Sequence, residues 1–113
     1  MITKEDMVEL FADMTQNAPW DLAKPLLWGY FFADPVKSKL EVASEQLKAK
    51  GYQIVGIYDS KPEASVPALW WLHVEKAEKH TADTLHARNQ EFYVFAEEHQ
   101  LESYDGMDVG PVA

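Results

Sequence analysis

Chemistry in this chain would have to come from its histidines and carboxylates, because it holds no cysteine and a single arginine, Arg88. The histidines stand at positions 73, 80, 86 and 99. An imidazole titrates near neutrality and can act as a general base or a metal ligand. These four form no HxxxH pair and have no carboxylate at ligand spacing; Asp83 and His86 can share one helical face, but two ligands do not make a metal site. His73 lies on the less apolar side of a strand, where a hydrogen-bonded packing role outweighs that of a base. Glu97 and Glu98 are adjacent, so on a helix they point about 100° apart and form no acid/base dyad. The glycines at 29, 51, 56, 106 and 110 are scattered, which rules out a phosphate-binding loop, a dinucleotide fingerprint and a nucleophile elbow. The expectation is a protein with no catalytic residue, no cofactor and no metal, which is not an enzyme.

Residues 67–80 are the stretch around which the elements arrange themselves. Ala68, Trp70, Leu72 and Val74 are apolar, whereas the interleaved Leu69, Trp71, His73 and Glu75 start apolar and turn polar. That alternation predicts a long strand with one face in a core and the other partly covered. Upstream, Thr3 and Asp6 form a loose capping box, after which Met7, Leu10, Phe11 and Met14 fall on one face of a helix ending near Asn17. Pro19 and Pro25 break the chain there, and Trp20 between them packs. Residues 26–33, an unalternating aromatic run, predict a central strand buried on both faces, with Gly29 a bulge or a close packing point.

Asp34 and Pro35 predict the N-cap and first position of a helix carrying Val36, Leu40, Ala43 and Leu47, closed by Gly51. Residues 52–59 predict a second strand, joined through a turn at residues 60–66 to the third. Thr81 caps a last helix with Leu85, Phe92, Phe95, Ala96 and His99 to one side, its stripe weakened by Arg88 and Asn89. Residues 101–109 return as a final strand. Right-handed crossovers then make the natural solution an α+β fold, a ferredoxin-like α/β sandwich with a four-stranded antiparallel sheet and an extra N-terminal helix. Residues 1–20 are that helix and its connection, and residues 21–113 the ferredoxin-like domain. The sheet face away from the two helices is too apolar to stay bare, so the leading helix, a second subunit in a homodimer or a protein partner should cover it.

The 113 residues, 47% of them hydrophobic, suffice for one core. No apolar run approaches the roughly 20 residues of a membrane span, the start is polar and acidic where a secretion signal would be basic and then apolar, and the missing cysteines suit a reducing compartment. A cytoplasmic protein without a membrane partner is expected. Net charge is −9, and residues 89–113 carry six carboxylates with no Lys or Arg. Such a surface attracts a basic partner with salt-sensitive on-rates. Trp28, Tyr30 and Trp71 could imitate the stacking platform of an RNA-recognition motif, which has this element order. One arginine in an acidic chain cannot neutralise a phosphate backbone, so direct nucleic-acid binding is not expected.

The run from Ala96 through Glu97, Glu98, His99, Gln100, Leu101, Glu102, Ser103, Tyr104, Asp105 and Gly106 to Met107, following the Thr81 helix, resembles the regulator of ribonuclease E activity B family. The aromatic strand before Asp34 and Pro35 and the Leu47, Ala49, Gly51, Tyr52 junction are similar to it too, so the resemblance spans about residues 26–109; Met107 stands where the family usually has Trp. The resemblance implies a ferredoxin-like fold and a non-enzymatic, protein-binding regulator that inhibits the ribonuclease E which initiates RNA decay. Combined with the charge, it designates Glu97, Glu98, Glu102, Asp105 and Asp108 as the docking carboxylates for a basic partner, with Trp71, Tyr104 and Met107 as apolar anchors. The competing reading is a ligand pocket or small enzyme near His73 and Trp71, for which a closed cavity holding His73 would speak and a covering Thr3 helix would speak against.

Overall fold

The computed structural model describes residues 1–59 and 69–112. Its elements in chain order are α1 (Lys4–Asn17), β1 (Leu26–Asp34), α2 (Lys37–Ala49), β2 (Gln53–Asp59), β3 (Trp70–Glu78), α3 (Ala82–Glu98) and β4 (Ser103–Gly110). The four strands form one antiparallel sheet in the order β2-β3-β1-β4. This is the expected ferredoxin-like sandwich, with the first and third strands in the middle. The turn foreseen at residues 60–66 lies outside the described residues; the strands it would join are paired, as a hairpin requires.

Alternation along the strands decides which side chains meet the helices. Leu26, Trp28, Tyr30 and Phe32 of β1 and Leu72 and Val74 of β3 are buried beneath Leu40, Ala43 and Leu47 of α2 and Leu85, Phe92 and Phe95 of α3. Phe92 is central, with ring centroids 4.7 Å from Tyr30 and 5.2 Å from Phe32. Each of these large side chains contributes about 2 to 3 kcal/mol through removal of apolar surface from water. The other side chains of β1 are less covered: Leu27 and Phe31 are only half-buried. The strand is therefore not shut in on both faces as its unbroken apolar run suggested. Among the described residues its second face is supplied by small Gly29 and Ala33 and by rings lying against one another, not by a second layer.

α1 does not cover that second face. Its apolar stripe joins the helix layer instead, with Met7 and Met14 buried in the same core and the Phe11 ring 6.0 Å from that of Trp28. The Thr3–Asp6 capping box forms as expected, the Ile2 amide donates to the Tyr93 hydroxyl of α3 at 2.8 Å, and Lys4 pairs with Asp83 at 2.7 Å. The flank of α3 and the end of β1 leave an apolar edge on the helical side. A stripe of two methionines, a leucine and a phenylalanine gains more there than over a flat, half-polar sheet.

Asp34 is a second correction. It is the last residue of β1, not a helix N-cap; α2 begins after Val36, which supplies no side-chain cap. Asp34 is only 2% exposed. One carboxylate oxygen accepts from the Val36 amide at 2.8 Å and the other from the Glu102 amide at 2.9 Å, so a single side chain ties the starts of α2 and β4 to the end of β1. Removing it strands two amides and should cost about 3 kcal/mol. Asp34→Ala is expected to lower the urea midpoint accordingly with an unchanged m-value, and a midpoint equal to that of the native chain would contradict this role.

Candidate protein-docking site

The C-terminal third carries its carboxylates on three different supports. Glu97 and Glu98 are exposed on the last turn of α3, and Glu102 is exposed in the connection to β4, held there through its amide bond to Asp34. The connection turns at Gln100, the one described non-glycine residue with positive φ (54°), and Lys39 reaches over to the Gln100 carbonyl at 3.0 Å. Asp105 is exposed at a bulge in β4: Phe31 faces Gly106 and Phe32 faces Tyr104, which leaves Asp105 with no cross-strand partner on β1. Gly106 makes the bulge possible with φ of 130°, a backbone state a side chain would oppose. Asp108 is exposed and lies opposite Gly29.

The apolar residues named beside them separate by face. Tyr104 is buried under α3, where its hydroxyl donates to Asn89 Oδ1 at 2.6 Å and burial pushes its phenol well above the ordinary range. It positions β4 from inside rather than offering contact from outside. Met107 is half-buried on the same side, its sulfur 3.7 Å from Asn89 Nδ2, with Met7 sulfur 3.4 Å from the same nitrogen. Asn89, the polar break in the α3 stripe, is thus the fully buried polar centre where α1, α3 and β4 meet. Trp71 is half-buried on the opposite face of the sheet, across from Ala33 and Tyr58. A groove of about 400 Å³ runs between α1 and β4, floored by Met7, Leu10, Trp28 and Met107 and bordered by Asp6, Asp105 and Asp108.

The stacking platform imagined for RNA does not exist in this fold, because Trp28 and Tyr30 face the helices and are 1% and 0% exposed. The single arginine is committed as well. Arg88 makes two bonds to Glu78, at 2.6 and 2.9 Å, approaches Glu91 at 3.3 Å, and lies over the rings of Tyr52, Tyr30 and Phe92. Sequence alone did not single out this cluster, although Glu78 and Arg88 fall where strand and helix must meet across a short connection. Among the described residues no group of three or more His, Asp or Glu side chains could hold a metal, and no helix is long and apolar enough to cross a membrane.

A comparison with known families matches residues 4–109 to the one described as regulator of ribonuclease activity B. The chain belongs to this family. The match takes in α1 and stops within β4, so it extends further toward the N-terminus than the similarity legible from motifs. Membership places the chain among proteins named for regulating a ribonuclease rather than for a reaction of their own. No curated protein matches the chain significantly.

In this family member the Arg88–Glu78 pair shares its site with His80, whose side chain is 4% exposed, 3.6 Å from Glu78 and bonded through Nδ1 to Thr84 at 3.0 Å. Burial pushes the His80 imidazole below its ordinary value of 6.5, with Glu78 opposing and Arg88 adding to the effect. Burial alone would raise Glu78, but the Arg88 bonds outweigh it and hold the carboxyl below its ordinary 4.5. Both groups bind a proton more readily in the unfolded chain, so both withdraw stability as pH falls: His80 from about 6.5 downward and Glu78 from about 4.5 downward. Urea titrations should therefore show stability declining from neutrality to about pH 5 in the native chain and staying flatter over that interval in His80→Gln. Parallel profiles for the two chains would remove His80 from this account.

Proposed function

We propose that this family member regulates a ribonuclease by binding it, with ribonuclease E the expected target, in the cytoplasm and without a covalent step. The acidic residues Glu97, Glu98, Glu102, Asp105 and Asp108 dock on a basic, arginine-rich segment of the nuclease or of another RNA-processing protein; Met107 supplies apolar contact in the groove beside Asp105 and Asp108, and Trp71 supplies it on the opposite face of the sheet. The observation that carries this reading is the concentration of exposed carboxylates from the end of α3 through β4, in a region holding no Lys or Arg. Family membership supports it by naming the class of protein regulated. Inhibition follows from occupying a surface that RNA or an accessory protein needs, since a partner segment neutralised by carboxylates no longer attracts phosphate.

The test is capture of purified ribonuclease E by the native chain at rising salt. Capture should be strong at low ionic strength and fade as screening shortens the reach of the charges. Replacing Glu97, Glu98 and Glu102 together by Gln, all exposed, should weaken it about tenfold and leave the thermal midpoint nearly unchanged. Absence of capture by the native chain at low salt would end this reading.

A further inference from the structure

The groove between α1 and β4 joins an apolar floor to a rim of one charge sign. Asp6 and Leu10, four residues apart on α1, stand on one side of it, and β4 from Asp105 to Val109 stands on the other. Met7, Met107 and Trp28 lie at the bottom. The two thioethers are unbranched and adaptable, which suits a surface that closes around an incoming side chain. No Lys, Arg or His lines the groove, and the only lysine of α1, Lys4, is already paired with Asp83. The Thr3 amide holds the Asp6 carboxyl below its ordinary 3.8, so this rim residue stays charged. A volume of about 400 Å³ takes more than one aliphatic side chain.

The strand beside the groove is itself open to a partner. β4 ends the order β2-β3-β1-β4 and has no neighbour on its outer edge among the described residues. From Gly106 to Gly110 it keeps regular antiparallel register with β1, and it contains neither the Lys nor the Pro that commonly keep a free edge unpaired. Its charges are Asp105 and Asp108. A second copy of this chain laid along β4 would set carboxylate against carboxylate, whereas a basic segment meets opposite charge. We propose that the groove and the free edge of β4 together seat an extended basic segment, whose apolar residues at alternate positions enter the groove. Arginines or lysines flanking them meet Asp6 and Asp105. Side chains between them turn to the other face of the sheet, where the Asp108 carboxylate stands over Gly29. This rests on the protein-binding reading above and narrows the partner's chemistry from charge alone to charge with apolar residues at a spacing of two. Main-chain pairing then supplies affinity, and the groove supplies the choice of side chain.

The test uses the full chain with methyl-labelled methionine and a short synthetic peptide in which two leucines, one residue apart, stand among arginines. Calorimetry reads affinity, and NMR reads the methionine methyls. The peptide should move the signals of Met7 and Met107, which line the groove, and leave that of Met14, buried in the core, in place. Replacing both leucines by serine, with every charge kept, should weaken binding about tenfold. Methylating alternate backbone amides of the peptide should abolish binding in one phase and spare it in the other, because a strand offers only every second amide to its neighbour. The exposed Asp105→Asn should weaken binding about fivefold. Leu10→Trp, which fills the groove, should erase the advantage of the leucine peptide over the serine one, with a thermal midpoint to show that the chain is folded. Equal affinity of the native chain for the two peptides, unmoved Met7 and Met107 methyls, indifference to backbone methylation, or native affinity in Asp105→Asn would each overturn the proposal. If the native chain captured no ribonuclease E while the leucine peptide still entered the groove, the regulator reading would fail and the groove would stand; capture at native strength by folded Leu10→Trp would remove the groove and leave the regulator reading.

Discussion

Pairing of β1 along both its edges is the constraint from which the rest of the molecule follows. A strand with neighbours on either side has no freedom of register, and a shift by one residue would turn Trp28, Tyr30 and Phe32 out of the core and bring Gly29 and Phe31 in. The aromatic residues therefore choose the helical side once, and β3 and β4 are placed by that choice. Asp34 extends the same control past the strand's end, since its two oxygens hold the first amide before α2 and the one before β4. α1 adds a third helix to the layer and closes the core over Trp28.

This arrangement sharpens the charge asymmetry that composition only hints at. The one arginine is turned inward on Glu78 and three aromatic rings, and Lys39 and Lys76 lean on a carbonyl and on Tyr52. The carboxylates of the last third have no comparable obligations: Glu97, Glu98, Glu102, Asp105 and Asp108 are all exposed. A basic chain approaching that end meets negative potential with few cations in the way, which favours association from a distance. The sheet's second face, over which no helix lies among the described residues, continues this character with Glu75 and Asp108 set among rings.

Much of the architecture was legible from side-chain periodicity. The 3.6-residue stripes of all three helices, the Thr3 and Thr81 caps and the alternation of β3 are local signals, and local signals survive folding when nothing nonlocal competes. Asp34 misled because Asp followed by Pro scores as a helix start on local grounds, whereas one of its two partners, the Glu102 amide, lies 68 residues away. The apolar run of β1 misled in the same manner: continuous hydrophobicity predicts two covers, and the described residues supply only one.

By itself the sequence determined the order and type of the elements, the sandwich they form, and the acidity of the last third, because each depends on residues near one another in the chain. Only the tertiary structure decided which side each aromatic and charged group faces. Tyr104 and Met107, neighbours of exposed Asp105 and Asp108, turn inward to Asn89, and α1 joins the helices rather than covering the sheet. The row of Glu75, Gly29 and Asp108 arises from cross-strand register among three strands. Register is settled by the sum of core burial over the whole sheet, and no single stretch of sequence contains that sum.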